Sequence, residues 1–186
     1  AAERRQTLAR GVNPWEATSN RTSPGGATER GNTPVPQSFT CLHFHLIFST
    51  KNRAPMITED LQSRLYEYFA GTLRGLGSKL LLAGGTMDHV HLLVSLSKQA
   101  SISSTLRDVK SNSSGWVHKT FPDQGQFAWQ AGYGAFAVSY SNLNDVKRYI
   151  AVQAEHHRAK SFKEEFIEFL DKHDVEYNEK YLWEWS

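Results

Sequence analysis

Asp88-His89-Val90-His91-Leu92-Leu93-Val94-Ser95-Leu96 decides how this chain is read. Side chains of a strand alternate between its two faces, so His89 and His91 share one face while Val90, Leu92 and Val94 turn into a core. Two imidazoles at fixed spacing on one face are candidate ligands for a divalent cation. Tyr149-Ile150-Ala151-Val152-Gln153 complements them. Helical residues four apart stack on one side, so Tyr149 and Gln153 point the same way. Two histidines on a strand and a glutamine on a helix make a three-ligand site with open positions, with the tyrosine one turn away. A phenol beside a cation-held phosphate is the apparatus for breaking a phosphodiester bond covalently.

The pattern extends outward from residues 88–96. Residues 39–49 (Phe-Thr-Cys-Leu-His-Phe-His-Leu-Ile-Phe-Ser) read as a buried strand. Leu61, Leu65, Tyr68, Phe69, Thr72 and Leu73 recur at helical spacing over 58–75, behind Thr58 as N-cap. Residues 79–86 form a strand that pairs with 89–96 as a hairpin, its end loosened by Gly84-Gly85. Ile102, Leu106, Val109, Ser113, Trp116 and Val117 predict a helix over 102–119, and 135–141 reads as a strand. The tyrosine helix spans 143–158, entered from Asn142 with Asp145 three residues on, a capping-box pattern. Phe162, Phe166, Phe169 and Leu170 mark a last amphipathic helix. The order β-α-β-β-α-β followed by helices predicts an α+β fold: a ferredoxin-like split β-α-β antiparallel sheet with helices on one face, plus C-terminal helices.

Three regions differ in composition. Residues 1–37 are rich in Gly, Pro, Ser, Thr, Asn and Arg, and predict a disordered or extended N-terminal segment. Residues 38–160 are expected to form the catalytic domain, and 161–186 a C-terminal helix and acidic tail. Residues 36–162 hold thirteen Lys/Arg against eight Asp/Glu, whereas 163–186 hold three against eight. A basic body is compatible with a nucleic-acid partner. A single cysteine, Cys41, excludes an internal disulfide framework and fits a reducing compartment. No apolar run approaches transmembrane length, so the expectation is a cytoplasmic protein with no membrane partner.

Spacing alone does not choose between His89/His91 and a second pair, His43-Phe44-His45, in another apolar strand. A resemblance to a family does. The stretches His45-Leu-Ile-Phe-Ser-Thr-Lys-Asn-Arg-Ala-Pro55, Gly84-Gly-Thr-Met-Asp-His-Val-His-Leu-Leu-Val94, Lys110-Ser-Asn-Ser-Ser-Gly-Trp116, Trp129-Gln-Ala-Gly-Tyr-Gly-Ala-Phe136 and Val146-Lys-Arg-Tyr-Ile-Ala-Val-Gln153 stand in collinear order. Glu155-His-His-Arg158, Phe162-Lys-Glu-Glu-Phe166 and His173-Asp-Val-Glu-Tyr177 follow. Together they resemble the single-tyrosine HUH transposases of bacterial insertion sequences, in the branch associated with repetitive extragenic palindromes. The similarity runs from about Pro36 to Glu184.

The resemblance implies that His89 and His91 are metal ligands with Gln153 as the third, and that the cation is Mg2+ or Mn2+. It implies that Tyr149 attacks a single-stranded DNA phosphate, becomes linked to the new 5′ end and leaves a free 3′-OH. The implied activity is metal-dependent nicking and strand transfer on single-stranded DNA, with hairpin structure in the substrate and a homodimer as the working form. His43 and His45 have no metal role in the family pattern and are expected to be structural. Asp88 either orients His89, serves as a weak extra ligand, or is a turn residue at the start of the strand. Lys51, Arg53, Arg107, Lys110, Lys147 and Arg148 are candidate DNA-phosphate contacts. A non-catalytic ferredoxin-like module that binds hairpin nucleic acid is the alternative, and a hydrolase built on His43 and His45 a third.

Overall fold

The computed structural model describes residues 38–153, 161–178 and 182. The expected extended segment 1–37, and the part of the tyrosine helix that carries His156-His157, lie outside the described residues. Four strands, β1 (His43–Ser49), β2 (Lys79–Gly85), β3 (His89–Ser95) and β4 (Gly134–Val138), form one sheet in the order β2-β3-β1-β4. Every pairing is antiparallel. Helix α1 (Glu59–Gly75) connects β1 to β2, and α2 (Ile102–Thr120) connects β3 to β4. This is the expected split β-α-β fold.

The alternation read from the sequence sorts the two faces. Leu46, Phe48, Val90, Leu92 and Val94 pack with Leu61, Leu65, Phe69 and Leu73 of α1 and with Leu106, Val109 and Val117 of α2. Complete burial of one such side chain contributes about 1.5–3 kcal/mol. Thr58 caps α1 by accepting from the Leu61 amide, as its position predicts, and Ser101 caps α2 by accepting from the Ser104 amide. The opposite face carries His45, Ile47, His89, His91 and Leu93. Two further helices cover it, α3 (Leu143–Ala151) and α4 (Phe162–Lys172). Leu143 and Ile150 of α3 pack on Leu93, and Phe162 and Leu170 of α4 pack on Ile47 and Phe136. Helices therefore stand on both faces, with α1 and α2 on one and the C-terminal pair on the other.

Several boundaries move inward from those predicted, each for a local reason. β1 starts at His43 because its ladder ends where His43 meets Ser95 on one side and Val138 on the other; Phe39 is exposed. β4 stops at Val138, where the chain enters a 3-10 turn at Tyr140–Asn142. Asn142 closes that turn with near-helical angles (φ −94, ψ −1), so its side chain makes no capping bond, and Asp145 pairs with Arg148 instead. The capping box is found at α4: Ser161 Oγ accepts from the Glu164 amide while Glu164 Oε2 accepts from the Ser161 amide. No helix among the described residues is long and apolar enough to cross a membrane.

Candidate active site

The site lies on the sheet face covered by α3 and α4. His89 and His91 of β3 are both fully buried there, with ring centroids 5.1 Å apart. Their Nδ1 atoms face protein partners. His89 Nδ1 lies 2.7 Å from Asp88 Oδ1 and 2.9 Å from Thr86 Oγ1, and the Thr86 hydroxyl donates to the same carboxylate oxygen at 2.7 Å. Asp88 thus does more than begin a strand: its carboxylate orients a ring. His91 Nδ1 lies 2.9 Å from Nε2 of His45, the histidine of β1 expected to be structural. Cross-strand register explains the meeting. Ile47 opposes His91 and His45 opposes Leu93, so His45 is the diagonal neighbour of His91 on one face. His43, two residues along β1, stands apart, partly exposed beside Cys41 Sγ at 3.4 Å and the Tyr140 ring.

Helix α3 brings Tyr149 over these rings. Its ring centroid is 5.9 Å from that of His91, 6.0 Å from that of His45 and 5.5 Å from that of Phe169 on α4, in edge contacts. A continuous helix over 143–158 predicts Tyr149 and Gln153 stacked one turn apart. Val152 leaves helical geometry instead (φ −105, ψ 18), and Gln153 is buried. Its Nε2 donates to Glu165 Oε1 at 3.0 Å.

Glu165 was not anticipated. It enters from α4, is 5% exposed, and holds Oε2 3.8 Å from His91 Nε2. His89, His91 and Glu165 each offer a ligand atom, and these atoms lie within 4.8 Å of one another. Burial, reinforced by Glu168 and Asp88, pushes the Glu165 carboxyl up to about 7. A sequence signal did exist: Glu165 lies three residues from Phe162 and four from Phe169, a carboxylate inside the apolar stripe of an amphipathic helix. Gln153 Oε1 is a buried acceptor with no hydrogen-bond donor among the described residues. Two imidazoles, an amide oxygen and a carboxylate, all buried together, fit a divalent cation by donor chemistry.

The basic candidates spread over two regions. Lys51 and Arg53 follow β1 in a 3-10 turn, where the Lys51 amide donates to the Ala128 carbonyl. Arg107 and Lys110 line a hollow on α2 with Ala128, Trp129, Gln130 and Tyr133. Lys110 is committed within the fold: Nζ donates to the carbonyls of Gln130, Ala131 and Gly132 at 2.9, 3.1 and 2.7 Å. Burial pulls its amine down to about 8, yet three donated bonds require the ammonium form, and that geometry carries more weight. Arg107 is exposed and pairs with Asp108 at 3.1 Å. Lys147 and Arg148 stand on the exposed side of α3, Arg148 against Asp145.

Residues 38–153 match the model of the family described as "Transposase IS200 like". Among solved structures, the chain is similar to one described as a transposase from Deinococcus radiodurans R1 (24% identity, 64% of this chain and 95% of that one, TM-score 0.49). It is also similar to a tyrosine transposase associated with REP sequences, solved bound to a REP hairpin (15% identity, 66% of this chain and 73% of that one, TM-score 0.50). At these identities the second likeness concerns the fold. No curated protein matches.

Proposed function

This chain belongs to the IS200-like transposase family, and from that premise we propose that it nicks and rejoins single-stranded DNA through a covalent link to Tyr149. The observation that carries the reading is the convergence of Tyr149 with His89, His91, Gln153 and Glu165 on one locus, drawn from β3, α3, the residues just past its end, and α4. His89, His91 and Gln153 would hold a divalent cation, Mg2+ or Mn2+, with Glu165 beside them. Such a cation, when bound, polarises the scissile phosphate and offsets the charge that develops on it.

The remaining work belongs to the chain. The phenol oxygen of Tyr149 attacks phosphorus, the bond to the 3′ oxygen breaks, and that oxygen takes a proton to become a free 3′-OH. The 5′ phosphate stays on tyrosine as a diester, so attack by another 3′-OH reverses the step and joins strands without ATP. An ordinary tyrosine has a pKa of ~10 and needs help to lose its proton. The pocket that Tyr149 lines also holds the carboxyls of Asp145, Glu165 and Glu168, of which Glu165 is the buried one. A carboxylate in that position is the candidate acceptor for the phenol proton.

The substrate is proposed to be single-stranded DNA with hairpin structure, a reading supported by the REP hairpin in the solved structure that shares this fold. The catalytic unit is proposed over residues 38–160 with α4 closing it, the working form as a homodimer and the compartment as the cytoplasm. Incubation with pooled single-stranded DNA and Mn2+, followed by denaturing gels, tests the proposal. A covalent adduct is expected with the parent protein and none with Tyr149→Phe, which loses one hydroxyl. An adduct that survives in Tyr149→Phe means another residue attacks.

A further inference from the structure

We propose that His45 is a positioning residue for the cation site: its Nε2 accepts the Nδ1 proton of His91 and thereby fixes His91 Nε2 as the ligand atom. The inference rests on the cation-dependent reading above and adds to it a residue from outside the ligand set.

His45 Nε2 and His91 Nδ1 are 2.9 Å apart, so one nitrogen donates and the other accepts. His91 Nε2 points the other way, to within 3.8 Å of Glu165 Oε2 and among the clustered ligand atoms. A nitrogen that binds a cation carries no proton, so a neutral His91 must be protonated on Nδ1. His45 Nε2 is then the acceptor, and its own proton sits on Nδ1. His89 shows the parallel arrangement, with Nδ1 against the Asp88 carboxylate at 2.7 Å. Each candidate ligand is thus held from behind, one by a carboxylate and the other by a neutral imidazole.

The unlike partners suit their surroundings. Asp88 stands at the start of β3 with its side chain 29% exposed, where water reaches a charge. His45 is 2% exposed, with the ring of Phe169 at 5.1 Å and that of Tyr149 at 6.0 Å. A carboxylate there would lose its hydration with no cation of its own to compensate, which disfavours the charge. A neutral imidazole accepts the same proton without burying a charge.

A packing role for His45 predicts a different outcome from a positioning role, and Mn2+ affinity measured by calorimetry in the absence of DNA separates them. His45→Phe keeps the ring and removes the acceptor; it should weaken Mn2+ binding about tenfold to a hundredfold. His45→Gln places an amide oxygen near the lost nitrogen and should restore most of the affinity. His43→Ala should bind as the parent does, and His89→Ala should lose binding. Parent affinity in His45→Phe overturns the inference. Equal losses in His45→Phe and His45→Gln also overturn it, because volume rather than the acceptor would then matter. Should His45→Phe fail to fold, 15N NMR of the cation-free parent decides: His91 protonated on Nδ1 supports the inference, and protonation on Nε2 overturns it. Parent affinity in His89→Ala would sink the cation site itself, an outcome distinct from failure of His45 alone.

Discussion

His89 and His91 gain their chemistry from burial and from what pins their Nδ1 atoms, so single substitutions there separate binding from folding. A cation that binds only the folded state stabilises it by RT ln(1 + [L]/Kd), about 2.7 kcal/mol at a hundredfold excess over Kd. We expect Mn2+ to raise the melting temperature of the parent and of His43→Ala, and to leave His89→Ala and His91→Ala unmoved, with DNA cleavage lost in the same two variants. Thermal melts with and without Mn2+ read this directly. Lys110 and Arg107 make a second contrast. Lys110→Met strips three carbonyls of one donor and should cost about 1–3 kcal/mol in urea unfolding. Arg107→Ala, at an exposed position, should change stability by less than ~0.5 kcal/mol. If Arg107 contacts phosphate, its loss should lower DNA affinity and reduce the salt slope of binding by about one.

Helix α3 sits where it does because β2 lacks a side chain at Gly84. Gly84 pairs with His91 across the strands, and a Cβ at that position would lie 2.4 Å from the Ile150 carbonyl oxygen and 2.7 Å from Ile150 Cγ2. The missing methyl lets α3 approach closely, one residue from Tyr149. Gly84→Ala should therefore push α3 away, cost about 1–3 kcal/mol and slow adduct formation more than it weakens DNA binding. Urea unfolding and single-turnover gels measure the two effects; unchanged adduct kinetics would mean that α3 tolerates the shift. Gly71 is the control. It lies in the interior of α1, where an added Cβ meets nothing within 4 Å, so Gly71→Ala should stabilise by about 0.5–1 kcal/mol and leave cleavage alone.

The sheet separates two tasks between its faces. One face, with α1 and α2, holds the larger apolar cluster. The other holds the histidines, covered by α4 and by α3 with its Tyr149, so a phosphate attacked by Tyr149 would have to reach a buried site. A single strand can thread into such a site, whereas a paired duplex presents its phosphates on a rigid cylinder. Cleavage should accordingly proceed on a hairpin with a single-stranded flank and fail on a blunt duplex of the same sequence. Comparable cutting of the duplex, followed on sequencing gels, would overturn the single-strand requirement.

Local periodicity carried the order of strands and helices, since alternation and helical spacing are properties of neighbouring residues. It also put His89 and His91 on one face, opposite Val90, Leu92 and Val94. Family resemblance, rather than spacing, preferred that pair to His43 and His45. What no local pattern held was the partner of each ring. His45 meets His91 across 46 residues only because β1 and β3 pair in one register, and a shift of one residue would turn His45 to the other face. Glu165 joins the site only because α4 folds back on Ile47 and Phe136, and Gln153 reaches it through a break at Val152 rather than along a straight helix. The sequence by itself therefore determined the elements and the residue types available for chemistry. Tertiary structure alone decided which of them meet, because strand register and helix docking are set by contacts between segments far apart in the chain.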